Sequence, residues 1–131
     1  MRTIKFRAKI KENGEWLYGD LEYNRQKDIA RIHTYNKDGI YEGQEIIDAD
    51  TIGQFTGLYD KNGKEIYEGD IMNDTTTKGV GVVEWNSVLC QFQLSWQNMP
   101  TAADIFFMVK CGSFVIGNIH DNPELLKGRK R

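Results

Sequence analysis

The chain has 131 residues, 40% hydrophobic and 27% charged, with 17 basic and 19 acidic side chains giving a net charge of −2. That length holds one domain, or two very small barrels sharing a core, and that hydrophobic content excludes a disordered chain. The near-balance of charge excludes steering of nucleic acid by the whole molecule, though not by a local patch, and no window approaches the ~18 apolar residues of a membrane-spanning helix.

Residues 3–10 alternate, with Ile4, Phe6, Ala8 and Ile10 on one face and Thr3, Lys5, Arg7 and Lys9 on the other. This pattern predicts a strand half buried against a core. Glu12-Asn13-Gly14 supplies a turn and residues 15–23 a second strand, so 3–23 reads as a hairpin. A short strand follows at about 29–35, then a turn at 36–39. Residues 40–50 are mixed, with Glu45-Ile46-Ile47 a candidate extended stretch and Asp50 or Thr51 a candidate cap for a helical turn.

Asp60-Lys61-Asn62-Gly63 is a chain reversal, after which 64–71 is expected to be extended. Residues 74–78 read as a polar loop tip. A second hairpin follows from strands at 80–85 and 88–96, the latter with Val88, Cys90, Phe92, Leu94 and Trp96 on one face. Residues 99–103 contain Pro100 and read as a loop, while 104–109 fit a strand or a short buried helix equally well. Residues 113–119 form a strand interrupted at Gly117, and Asn122-Pro123 is a helix start, with Asn122 as cap and Pro123 at the first helical position.

Two short motifs recur in the same order. Tyr18-Gly19-Asp20-Leu21 corresponds to Tyr67-Glu68-Gly69-Asp70-Ile71, and Thr51-Ile52-Gly53-Gln54-Phe55 to Val115-Ile116-Gly117-Asn118-Ile119. The order suggests an internal duplication of a small β-unit; the plainer reading is that Gly-Asp and Ile-Gly dipeptides are common at strand bends.

No set of residues spells out a catalytic site. The two histidines are His33 and His120, and the two cysteines, Cys90 and Cys111, form neither a metal-binding pair nor a disulfide framework. The cysteines are expected to be reduced and buried, with a Cys111–His120 pair a remote alternative. Asp20 and Asp70 each follow a Gly and are expected to accept backbone N–H bonds at bends. Asp60 to Glu65 resembles the start of a calcium loop but has Gly at the wrong position, so the turn reading prevails. Neither phosphate-binding glycine motif occurs.

Two routes to binding remain. Lys5, Arg7, Lys9 and Lys11 lie on one face of the first strand, and Lys127, Arg129, Lys130 and Arg131 form a basic tail; together they offer phosphate contacts. Against this, charges on an edge strand serve solubility, and Glu12, Glu15, Asp20 and Glu22 are placed to offset them. Trp16, Trp85, Trp96, Tyr35, Tyr41 and Tyr59 exceed what one small core easily buries, which suggests a subunit interface; the plainer reading is a two-layer core that takes most of them.

Three blocks carry a family resemblance: Lys5-Phe6-Arg7-Ala8, then TIGQFTG with DKNGKEIYEGDI, then VIGNIHDNPELL. In their order and spacing the chain resembles the YopX family, small proteins of phages and prophages of Gram-positive bacteria. It departs from the family pattern at Lys9-Ile10, where Trp and Asp are common, and at His120-Asp121, where Tyr-Glu is more usual. The second departure makes His120 a poorer catalytic candidate.

The resemblance implies a phage or prophage origin, a cytoplasmic setting in the bacterial host and a mixed β fold of small-barrel character. It supplies no activity, cofactor or catalytic residue. Gly53, Gln54, Gly57, Asp60, Gly63, Gly69, Asp70, Gly117, Asn118 and Pro123 stand in its blocks as architecture.

The sequence thus predicts a mainly β (α+β) chain of antiparallel hairpins forming SH3-like barrel units, with a short C-terminal helix. It reads as one domain over 1–131, with β halves at about 1–59 and 60–126 and the tail 127–131. The expected role is non-enzymatic binding to a host or phage macromolecule, as a homo-oligomer, without metal, cofactor or membrane. The alternative is nucleic-acid binding through Lys5, Arg7, Lys9, Lys11, Arg129 and Lys130.

Overall fold

The computed structural model describes residues 2–75, 79–96 and 102–126. The chain divides into two compact units, residues 1–55 and 56–131. Both are built from antiparallel strands, so the mainly β class is observed.

In the first unit, β1 (Phe6–Lys9), β2 (Trp16–Asn24), β3 (Ile29–Tyr35) and β4 (Tyr41–Ile46) succeed one another, and a single 3-10 turn (Ala49–Thr51) leads into β5 (Gly53–Tyr59). The hydrogen-bonded order is β4-β3-β2-β1-β5. Alternation places Ala8, Ala30, Ile32 and Ile47 in a buried cluster with Leu17, Leu21 and Ile52 packed on it. The hairpin joining β1 to β2 turns at Gly14, whose φ of +76° an L side chain rarely adopts.

From Thr56 onward β5 belongs to the second unit, where β6 (Glu65–Tyr67) lies beside it and Thr56 Oγ1 donates to the Ile66 carbonyl at 2.8 Å. Then come β7 (Asp70–Asn73), β8 (Val80–Asn86), β9 (Gln91–Ser95), β10 (Ala102–Asp104), a helix α1 (Ile105–Lys110) and β11 (Val115–Asn118). Their order is β10-β9-β8-β7-β11. Ile66, Met72, Val83, Leu94, Ile105 and Met108 form the buried cluster.

Leaving aside the end of β5 and β6, the two units share one order: four strands in sequence, a short helical element, and a last strand that returns to pair with the first. Their registers agree as well. Gly53 faces Arg7 and Gln54 faces Phe6, while Gly117 faces Ile71 and Asn118 faces Asp70. The recurrence of Ile-Gly-amide thus falls on equivalent strands. The Gly-Asp recurrence does not, since Gly19 lies in β2 and Gly69 just before β7. The two glycines also serve different ends. A Cβ on Gly19 would overlap the His33 carbonyl oxygen, whereas Gly69 has a φ of +90°, which favours glycine.

Several expectations are corrected. Neither sheet closes into a barrel; in the first unit β4 reaches β1 through one isolated bridge, Ile10 with Ile47. The expected strand at 88–96 begins at Gln91, because the Asn86 side chain accepts the Val88 and Leu89 N–H groups and holds 87–90 as a turn. Residues 64–71 are broken by a turn at Glu68-Gly69, and Asp48 rather than Asp50 or Thr51 caps the 3-10 turn. Ala102 and Ala103 lie in β10 rather than in a loop.

Both cysteines are exposed, because each sits in or beside a turn. Asp74, expected at a polar loop tip, is buried. Of residues 104–109, Asp104 ends β10 and the rest are helix: the Asp104 side chain caps α1 by accepting the Phe106 N–H at 2.8 Å, and Ile105 and Met108 turn into the core. The C-terminal helix is a 3-10 turn at Pro123–Leu125, and Asn122 makes no capping bond there. Its side chain accepts the Asn118 N–H instead, at 3.2 Å.

Candidate binding surface

The face of the first sheet opposite its core is set by strand alternation. Arg7 pairs with Tyr18 and Lys9 with Trp16; Asp20 pairs with His33 and Glu22 with Arg31; His33 pairs with Gln44, Arg31 with Ile46 and Tyr35 with Tyr41. Side chains of one alternation class project together. This face therefore combines the cations of β1 with aromatic side chains of β2, β3 and β4.

The cations lie against rings. The Arg7 guanidinium sits 4.7 Å and the Lys9 ammonium 5.5 Å from the Trp16 ring centre, and the Lys5 ammonium lies 5.2 Å from that of Phe55. Arg7 is buried, contrary to the solvated strand face expected from alternation; its flat cation stacks on indole, and sequence period carries no sign of that. Lys11 is exposed in the turn after β1. Lys127, Arg129 and Lys130 lie outside the described residues.

Across β2, β3 and β4 runs a polar bridge that the sequence reading missed. His33 Nε2 lies 2.6 Å from Glu22 Oε1, and His33 Nδ1 lies 3.0 Å from the Tyr41 hydroxyl. Both ring nitrogens of His33 thus have a side-chain partner, one on β2 and one on β4. Tyr35 meets Tyr41 edge to face at 5.4 Å. Glu22, expected to offset the basic stripe, is thus engaged by His33. At the β2–β3 turn the Tyr23 hydroxyl donates to Asp28, and that bond, reinforced by the carboxylate's charge, raises the phenol pKa.

In the second unit the unexplained side chains are apolar. Val88 is 87% and Leu89 63% exposed at the β8–β9 turn, and Phe106 and Phe107 are 55% and 59% exposed on α1. Trp85 is half exposed and packs edge to face on Phe92 at 4.9 Å. The Asn86 bonds to Val88 and Leu89 fix the turn that presents them.

The signature residues hold the frame. Asp60 is buried and accepts N–H bonds from Asn62 and Lys64 at one oxygen and from Val115 at the other, each 2.9 Å. Burial works to raise its pKa, but these three donors, helped by the Lys64 charge, outweigh it and lower the pKa. Gly63 completes that turn, and Gly57 also has positive φ. Asp70 is buried and accepts the Tyr67 N–H at 2.7 Å, a bend role of the kind expected. Asp20 is exposed.

A Cβ on Gly117 would meet the Asn122 side-chain oxygen at 2.6 Å, so glycine admits the C-terminal turn, which Pro123 begins, at the β11 bulge. The Asn118 side chain accepts the N–H groups of His120 and Asp121. Cys111 ends α1, and its carbonyl accepts from the Thr75 hydroxyl. Among the described residues no group of three or more His, Cys, Asp or Glu is placed to hold a metal ion, and no helix is long and apolar enough to cross a membrane.

Comparison with known proteins decides the family, since the model of the YopX protein family matches residues 5–127. The chain belongs to the YopX family. A search of curated proteins found no match. Among solved structures this YopX-family chain is similar to protein EF1440 from Enterococcus faecalis, with a TM-score of 0.60 and 25% sequence identity over 97% of this chain and 100% of that one.

Proposed function

We propose that this YopX-family chain is a binding protein rather than an enzyme. It is a phage or prophage accessory protein of the host cytoplasm that works as a homo-oligomer and docks on a host or phage macromolecule. The single observation that carries the reading is the set of large apolar side chains left in solvent on the second unit. Trp85 lies in β8, Val88 and Leu89 at the β8–β9 turn, and Phe106 and Phe107 on α1; large apolar side chains left in solvent support a docking role where they adjoin. His33 is taken up by Glu22 and Tyr41 at both nitrogens, which suits a cross-strand bridge better than a catalytic base.

The scaffold is read as a duplicated SH3-like unit. What supports this is the strand order common to both units and the identical placing of Gly53-Gln54 and Gly117-Asn118 opposite their first strands. Duplication of a frame frees each copy's outer side chains to diverge, one toward aromatic and polar groups and the other toward apolar ones.

Light scattering across a concentration series tests the oligomer. A mass that is a multiple of the chain's, falling to the monomer in Phe106→Ser/Phe107→Ser, is expected; a strict monomer at all concentrations contradicts it. The nucleic-acid reading through Lys5, Arg7, Lys9 and Lys11 draws less support, because Arg7 is buried and Lys5 and Lys9 lie over rings. Binding to DNA or RNA at low salt that falls steeply as salt rises would restore it.

A further inference from the structure

We propose that the free edge of β4 takes an extended, basic segment of a partner protein as an added strand. This rests on the reading of the chain as a binding protein and names the class of partner. β4 ends the order of its sheet, so among the described residues one of its sides lacks a strand neighbour along most of its length. The Ile47 N–H donates to the Ala30 carbonyl at 3.0 Å, which fixes the alternation of the ladder. Gly43 and Glu45 then face β3, and Gln44, paired with His33, turns its N–H and C=O to the open side.

That side already accepts strand pairing where it can. The Ile46 carbonyl takes the Lys11 N–H at 3.0 Å beside the Ile10–Ile47 bridge, and pairing stops where the chain turns away at Lys11. β4 carries neither Lys nor Pro, two residues that commonly blunt edges. The register with β3 shifts at the extra residue Glu42, and Gly43 beside it has a φ of +147°, which leaves Gln44–Ile46 regular.

Charge selects the occupant. Residues 38–50 hold Asp38, Glu42, Glu45, Asp48 and Asp50, all exposed, and no Lys or Arg. A second copy meeting this edge with its own β4 would set the carboxylates against one another, and a nucleic acid would bring phosphates to them; like charges across a ladder are unfavourable. A basic segment is drawn in instead. Ile40 (62% exposed), Tyr41 and Ile46 offer contact for its apolar side chains. Strand addition of this kind takes affinity from the main chain and specificity from alternate side chains.

The test uses the full chain and a synthetic octapeptide of alternating Lys and Val, labelled for fluorescence anisotropy. Expected are saturable binding, slowed hydrogen exchange at the Gln44 amide, and at least tenfold weaker binding for Glu42→Lys/Glu45→Lys with unchanged circular dichroism. N-methylation of alternate peptide amides is expected to weaken binding at least tenfold too. Equal binding of the methylated peptide, or no protection at Gln44, overturns the proposal, whatever the oligomer measurement gives. Protection of Gln44 that rises with protein concentration alone would assign the edge to a second copy. A tenfold gain in peptide affinity on deleting residues 127–131 would assign it to the chain's own tail.

Discussion

Asp60 allows the account of the second unit to be tested quantitatively. Its carboxylate accepts three backbone N–H groups, two within its own turn and one from Val115, 55 residues away. In Asp60→Ala the exposed turn donors of Asn62 and Lys64 can turn to water, at about 0.5–1.5 kcal/mol each. The half-buried Val115 N–H is left without its acceptor, at about 1–3 kcal/mol. The sum is about 2–6 kcal/mol, a large share of the roughly 5–15 kcal/mol by which domains are stable.

Asp60→Asn keeps a carbonyl oxygen for one side and turns a donor toward the other, so it should cost less. Acid separates charge from shape. Because the folded pKa is lowered, the carboxylate's contribution is fully present above the unfolded value of about 3.9 and is lost as pH falls through the folded one. Urea denaturation followed by tryptophan fluorescence should therefore show the gap between wild type and Asp60→Asn at full size at neutral pH and shrinking below about pH 4. A gap that stays constant into acid, or an Asp60→Ala cost under about 0.5 kcal/mol, would refute the reasoning.

Other outcomes follow from the same geometry. Gly19→Ala forces a Cβ onto the His33 carbonyl and should lower the unfolding free energy from urea denaturation by about 3 kcal/mol. Ile32→Ala, fully buried in the first core, should cost about 2–5 kcal/mol by the same assay. Both Cys90 and Cys111 should react with a thiol reagent in the native protein, since both are exposed; titration of none or one would contradict the placement. Lys9→Met should cost no more than about 1 kcal/mol, the scale of an exposed cation–π contact.

Where one periodicity governed a segment, its structure was legible. Residues 29–35 alternate between two turns and form β3 over that span. Residues 88–96 alternate just as well, yet Asn86 captures two amides and turns the first part out of the strand, with Cys90 at a φ of +54°. The signal was present in an Asn at the strand end, but alternation masked it. Asp104 likewise marked the helix start that apolar content alone left undecided.

The candidate surface was less legible, because it depends on which strands adjoin. The aromatic surplus pointed to binding, but Glu22, His33 and Tyr41 lie on three strands, and nothing local joins them. The two recurring motifs fare differently in the structure. Gly53 and Gly117 answer the same demand of register, while Gly19 and Gly69 answer different ones and matched by letter alone.

The central claim, that the chain works by docking its exposed apolar side chains, is tested most directly by its mass in solution. Light scattering on wild type and on Phe106→Ser/Phe107→Ser should give an oligomer and a folded monomer respectively. A wild-type chain that stays monomeric at every concentration would contradict it.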